Sequence, residues 1–243
     1  MGAFPTVQAV FLENEDSVNS FATSISRPRL TKYLQESDSN LRRALQLYHW
    51  NSQLSQALYL PLQSWEIVLR NKMNDFFIYK YGGVGWPSDR RALRNFAGND
   101  RRRLDETVTR LSQNANSNIP TTDQIVADLS AGFWVSQFGA RYAAQYGWQN
   151  NLKFRIFTND HSIDREAAYK ICSNLLELRN RVAHHEPIFH LPLDVWRSDL
   201  NRVLNGMCAS TANYMASACS FTDIWNAPPG QQLLLGETPL DPD

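Results

Sequence analysis

The stretch LLELRNRVAHHEPIF, residues 175–189, joins the end of an apolar helical run to a polar cluster and a proline. Upstream of the cluster, Ala168, Ile171, Leu175, Leu178 and Val182 recur at three- and four-residue steps, the spacing of one buried helix face. Pro187 cannot continue that helix and pushes Glu186 out of the α region, so the helix is expected to end near His185. On a helix Asn180 and His184 stack one turn apart on one face. Arg179 lies about 140° round from His184, yet its long stem lets the guanidinium swing toward either neighbour. His184 then falls in the last turn, where the helix dipole favours an imidazolium. A permanent cation, an amide and a titratable base in this order suit proton transfer at a phosphodiester.

Outward from that stretch the chain reads as helices. Residues 1–36, with Pro5 and Pro28, read as an irregular lead-in, and 226–243, rich in Pro, Gly and acid, as a flexible tail. Between them, 37–225 reads as a single α-helical domain. Ser37-Asp38-Ser39 caps a helix whose face carries Leu41, Leu45, Tyr48, Leu54 and Leu58. Pro61 is expected to break or kink it before a second helix over 62–79 with Trp65, Leu69 and Met73 inward. Ser88 or Asp89 caps a short helix to Phe96, and another runs to about Asn114. Thr121 and Gln124 form a capping box for a helix through Phe138, whose Phe133, Trp134 and Phe138 have the spacing of core residues, not of a base-stacking platform. Pro192 opens a helix over 193–215, joined to its predecessor by a short loop that predicts antiparallel packing. No strand alternation and no repeat occurs, so the fold class is all-α.

Composition narrows the classes further. The 243 residues are 43% hydrophobic and 12% aromatic, enough for a sizeable core. No apolar run reaches the ~20 residues of a membrane span, and no basic-then-apolar leader pattern begins the chain, although Gly2-Ala3-Phe4-Pro5-Thr6 formally fits a myristoylation pattern. Three cysteines without a C-x-x-C spacing point to a reduced, cytoplasmic protein, with Cys172 and Cys208 in the core. Net charge is zero, which argues against a bulk basic surface. Arginine nevertheless outnumbers lysine 19 to 5, and seven arginines fall in 90–110. Asp89, Asp100, Asp105 and Glu106 dilute them, so the cluster reads first as a salt-bridged helix face and second as an RNA-backbone track through Arg101, Arg102 and Arg103.

Other chemistries find little support. His184, His185, Glu186 and His190 resemble a zinc motif, but the step from His185 to His190 is five and Pro187 breaks the helix between them, so no metal is expected. There is no phosphate-binding glycine loop and no G-x-S-x-G elbow. No cofactor is implied.

Arg179-Asn180-x-x-x-His184 followed by His185 resembles the R-x4-H signature of the HEPN superfamily, and the wording LRNRVAHHEPI is similar to its bacterial Abi-like, or abortive infection, branch. Two upstream pieces, SWEIVLRNKMNDFFIYKYG (residues 64–82) and IVADLSAGFWVSQF (residues 125–138), fit that branch in the same order, so the resemblance covers roughly 35–205. It implies a HEPN-type four-helix bundle core with additional helices, and a homodimer whose two motifs face one another in a composite active site. It also implies a metal-independent endoribonuclease in phage defence or a toxin–antitoxin-like system, with an antitoxin or regulatory partner. Arg179, Asn180 and His184 are then catalytic. His185 and Glu186 are accessory, as are Glu66 and Arg70 of the Glu-x-x-x-Arg-Asn piece, whose bland reading is an intrahelical salt bridge. Toxins of this class that a nucleotidyltransferase modifies carry Tyr two residues after the motif histidine; here that residue is Glu186, which disfavours that regulation. A noncatalytic RNA-binding module and a protein-interaction module are the alternatives.

Overall fold

The computed structural model describes residues 11–114 and 119–229. Every element among them is helical, and the chain is all-α. The Gly2–Thr6 pattern, part of the 114–120 loop and most of the expected tail lie outside the described residues. The chain groups into two compact units that cut across the domain expected over 37–225.

The first unit takes the chain up to Leu58, His184–Leu191 and the chain from Ser220. Where an irregular lead-in was expected, α1 (Glu15–Ile25) and α2 (Arg27–Gln35) form. Asn14 caps α1 by accepting from the Ser17 amide at 2.9 Å. Pro28 sits in the first turn of α2, where its missing N–H has no helical partner to lose, so it starts a helix inside the segment read as an irregular lead-in. Val18, Ala22, Leu30, Tyr33, Ala44 and Leu45 form this unit's core, with Phe189 packed against it. Buried Asn51 holds the 184–191 segment: its Oδ1 accepts from the Ile188 amide at 2.7 Å and the Phe189 amide at 3.2 Å. Trp50 donates to the Ile224 carbonyl at 2.8 Å and stacks on Trp225 of the short α13 (Phe221–Trp225).

Helix α3 runs over Leu41–Tyr81 through Pro61, so of the break or kink expected there the break does not occur. A proline inside a helix costs about 3 kcal/mol. The apolar stripe on either side of it, Leu54, Leu58, Leu62, Trp65 and Leu69, is almost completely buried. Each such side chain contributes ~1.5–3 kcal/mol, so the stripe outweighs the proline.

The second unit, Tyr59–Ala183 with Pro192–Cys219, is built on the later part of α3. A 3-10 turn (Trp86–Ser88) leads to α4 (Arg90–Asn95), capped by Asp89, the second of the two residues expected there, whose carboxyl Arg91 holds down at about 2. Helix α5 (Gly98–Asn114) follows, then α6 (Thr122–Asp128), opened by the expected Thr121–Gln124 capping box. That helix stops at Asp128, and Phe133 and Trp134 belong to a separate α7 (Ala131–Ser136). Both rings are fully buried, as is Phe138, in an aromatic core with Phe76, Phe77, Trp86, Tyr146 and Trp148. Gly147, at φ 58°, supplies the left-handed residue that ends α8 (Ala143–Tyr146) and begins α9 (Trp148–Asn151), and a π-helical turn (Leu152–Ile156) continues it.

The motif helix is α10 (Arg165–Ala183), capped by Asp164, whose side chain accepts from the Ala167 amide at 2.8 Å. Its expected stripe is buried. It packs on α7 and on α11 (Leu193–Met207). Cys208 is extended, so the helix expected over 193–215 is two, α11 and α12 (Ala209–Ala218). Gly206 allows the 157–163 loop to close on α11: a Cβ there would meet Ile163 at 3.2 Å and Phe157 at 3.3 Å. Cys172 is buried as expected; Cys208 is half-buried. No described helix is long and apolar enough to cross a membrane.

Candidate functional site

Helix α10 ends two residues earlier than its sequence implied. Ala183 is its last residue, His184 follows as a turn residue, and His185 has φ 56°. A left-handed residue just past the last helical turn closes a helix end by pairing its amide back onto the final carbonyls, a place usually held by glycine. Arg29 adds a hold from within the first unit, donating to the His185 carbonyl at 3.0 Å. His184 is therefore outside the helix and not stacked over Asn180 by helical geometry, contrary to expectation. His184, His185 and Glu186 are all exposed. The boundary between the units falls between Ala183 and His184.

Within the second unit, Arg179 and Asn180 stand on the last turns of α10 and Glu66 and Arg70 on α3. Arg179 Nε donates to Glu66 Oε2 at 2.9 Å, and its Nη1 to Asn180 Oδ1 at 3.3 Å. Its Nη2 has no hydrogen-bond partner among the described residues. Arg70 donates from Nη1 to the Ala127 carbonyl at 3.2 Å, while its buried Nε has no partner among the described residues. The intrahelical Glu66–Arg70 bridge is thus not what forms; Glu66 reaches across to α10. These residues line a cleft of about 340 Å³ whose other walls are Tyr59, Leu62, Gln63, Ile67, Val182 and Ala183. Two arginines against one carboxylate leave it with one excess positive charge, beside an apolar wall. Tyr59 and Gln63 escaped the sequence reading. Their signal was their place at i−7 and i−3 from Glu66, the face of α3 that carries it.

The site can offer a guanidinium fork to a phosphate oxygen, oriented by a carboxylate and an amide. His184, five positions on along the chain, belongs to the first unit and is exposed. Asn180 serves here as an acceptor for Arg179, one of the roles open to it.

The arginine cluster has a different character. On α5, Arg101 pairs with Asp105 at 2.8 Å, Arg102 with Glu106 at 3.7 Å and Arg103 with Asp100 at 3.6 Å. Arg110 pairs with Asp128. Asp100 is itself buried, accepting from Tyr142 Oη at 2.6 Å and Ser136 Oγ at 2.7 Å. Each of these guanidinium groups therefore carries a neighbouring anion. No group of three His, Cys, Asp or Glu able to hold a metal ion occurs among the described residues.

Comparison with protein-family models, with curated proteins and with solved structures finds no match to this chain.

Proposed function

We propose that this protein is a metal-independent endoribonuclease of the HEPN type, with Arg179, Asn180 and His184 as its catalytic residues. The observation that carries the reading is the anchored arginine: Arg179 is fixed by Glu66 at 2.9 Å in a cleft that also holds Arg70. It stands five positions before an exposed histidine. In this mechanism the ribose 2′-hydroxyl attacks its own phosphorus while His184 takes its proton. Arg179 stabilises the charge that builds on the phosphorane oxygens through Nη2. The 5′ oxygen leaves with a proton from a second acid, either His185 or the motif of a second copy. The products are a 2′,3′-cyclic phosphate and a 5′-hydroxyl.

A homodimer answers the need for a base and an acid together, since one motif supplies one His–Arg pair. The helices around α3, α10 and α11 are then a HEPN-type four-helix core. The setting proposed is cytoplasmic, in phage defence or a toxin–antitoxin-like system, with an antitoxin or regulatory protein holding activity in check.

The test is RNA cleavage in EDTA by the wild type and by His184→Ala, with end-group analysis. Cyclic-phosphate ends made only by the wild type support the nuclease. Equal cleavage by both proteins removes His184 from the mechanism. One observation favours a second reading, a noncatalytic RNA-binding module: Glu66 and Asn180 already occupy two donors of Arg179. That reading expects salt-dependent RNA binding without consumption of RNA, indifferent to His184→Ala.

A further inference from the structure

The π-helical turn Leu152–Ile156 buries its two ends and turns the three residues between them, Lys153, Phe154 and Arg155, to solvent. π-helical turns are rare and concentrate at functional positions. Phe154 is 68% exposed and Tyr79, on α3, 55% exposed, although both belong to a unit that buries most of its other aromatic rings. The rings are not scattered. The Arg155 guanidinium carbon lies 3.7 Å from the centroid of the Tyr79 ring, and Phe154 and His161 meet at 6.2 Å.

The charges on this strip contrast with those of α5. Neither Lys153 nor Arg155 has an ion pair among the described residues, whereas Arg101, Arg102 and Arg103 each have a carboxylate. The nearest acid in sequence, Asp160, is engaged by Arg202 at 3.1 Å and by Ser162. Lys153 also borders a groove with Asp164 and Glu166, so Arg155 is the cation most open to a phosphate.

We propose that Tyr79, Phe154 and Arg155, flanked by Lys153 and His161, form a stacking track for single-stranded RNA. Bases lie on the Phe154 ring and on the Arg155–Tyr79 pair, and phosphates fall beside Arg155 and Lys153. Exposed aromatic faces interleaved with unpaired cations are what sequence-tolerant recognition of a single strand requires. The proposal rests on the reading of RNA as the ligand and adds where the strand runs.

The test measures fluorescence anisotropy of labelled oligouridine and oligoadenosine across a salt series, on the full chain carrying His184→Ala so that the probe survives. Phe154→Ala in that background is expected to weaken binding about tenfold with the salt slope unchanged. Arg155→Ala is expected to weaken it and to reduce the slope by about one. Lys170→Ala, on the exposed side of α10, controls for loss of one positive charge, and thermal melts confirm that the variants fold. If the parent binds and Phe154→Ala and Arg155→Ala bind equally well, the track is wrong and the RNA reading stands. If the parent binds through the track but the wild type cleaves nothing, the track stands and the nuclease falls. If the parent binds no RNA, both are overturned, and a pull-down that then depends on Phe154 reassigns the strip to a protein partner.

Discussion

The Arg179 guanidinium and the Glu66 carboxylate meet at 2.9 Å, Nε to Oε2, across 113 positions of sequence. The pair ties the last turn of α10 to the middle of α3 and fixes which guanidinium edge faces the cleft. Side-chain exposures of 39% and 19% place it at a surface, where ion pairs contribute little to stability. Its consequence is therefore expected in the orientation of Arg179 more than in folding.

Glu66→Ala is expected to lower RNA cleavage about tenfold, as misplacement of a catalytic cation does, and to cost under about 1 kcal/mol of stability. RNA binding should hold or tighten, because a carboxylate has left a phosphate site. Glu66→Gln, which keeps one acceptor for Nε, should recover part of the rate. Single-turnover cleavage and anisotropy measured on the same samples separate the two effects. A parallel loss of binding and cleavage would make Glu66 a general structural support.

His185 carries a different kind of strain. A non-glycine residue at φ 56° costs about 1 kcal/mol through its Cβ. His185→Gly is expected to raise the unfolding free energy by about 1 kcal/mol, read as a higher urea midpoint, and His185→Val to lower it by more, since a β-branched residue fits that region worst. Cleavage by His185→Gly then reports on whether the imidazole donates the leaving-group proton. A stabilised protein that has lost its cleavage makes His185 the acid.

What the sequence disclosed follows the range of the interactions involved. The Thr121–Gln124 capping box, the cap at Ser88 or Asp89 and the buried stripe of α10 are local, set within one or two turns, and all were readable. Pro61 does not break its helix, because its penalty is local while the burial that outweighs it is tertiary. Pro28 was read with the irregular lead-in because a first-turn proline and a loop proline look alike until the helix on its far side is known. The end of α10 was displaced by the left-handed His185, held from Arg29, and no periodicity encodes that contact. Within the candidate site, Arg179 and Asn180 were legible as a motif, but the Glu66 partner was read as bonding along its own helix. Geometry across helices decided otherwise. The strip at Tyr79 and Phe154 gave no pattern at all, since the rings are 75 positions apart and Phe154 sits in a π-helical turn, Leu152–Ile156, that no α-helical or strand period describes.

The thiols offer a check on packing. Cys172 is fully buried, and burial pushes its thiol up to about 12, whereas hydrogen bonds from Thr211 draw Cys208 down. Thiolate is the reactive form, so native protein at pH 7.5 should alkylate at Cys208 well before Cys172. Mass spectrometry of peptides after timed iodoacetamide exposure reads the order. Early modification of Cys172 would mean that the core beside Trp65 opens on the labelling timescale.

Buried tyrosines set the response to alkali. Tyr33 in the first unit and Tyr142 and Tyr146 in the second are buried, and desolvation raises all three phenols well above their ordinary value of 10.0. Asp100, accepting from Tyr142 at 2.6 Å, adds to the rise, because ionising that phenol would put two anions together. A group whose folded pKa is raised keeps its stabilising share below the unfolded pKa and loses it as pH climbs beyond. Stability should thus be level up to about pH 9.5 and then fall by up to ~1.4 kcal/mol per pH unit for each tyrosine still protonated in the native state. Tyr142→Phe should flatten the second unit's fall. It should also cost about 1–3 kcal/mol at neutral pH, by leaving the buried Asp100 carboxylate and the Ala97 amide each short of a partner. Urea unfolding between pH 8 and 11.5, followed by circular dichroism and by phenolate absorbance, measures both. Phenolate absorbance that rises in step with pH before the helix signal falls would show the three phenols ionising in the native state, and would refute the account.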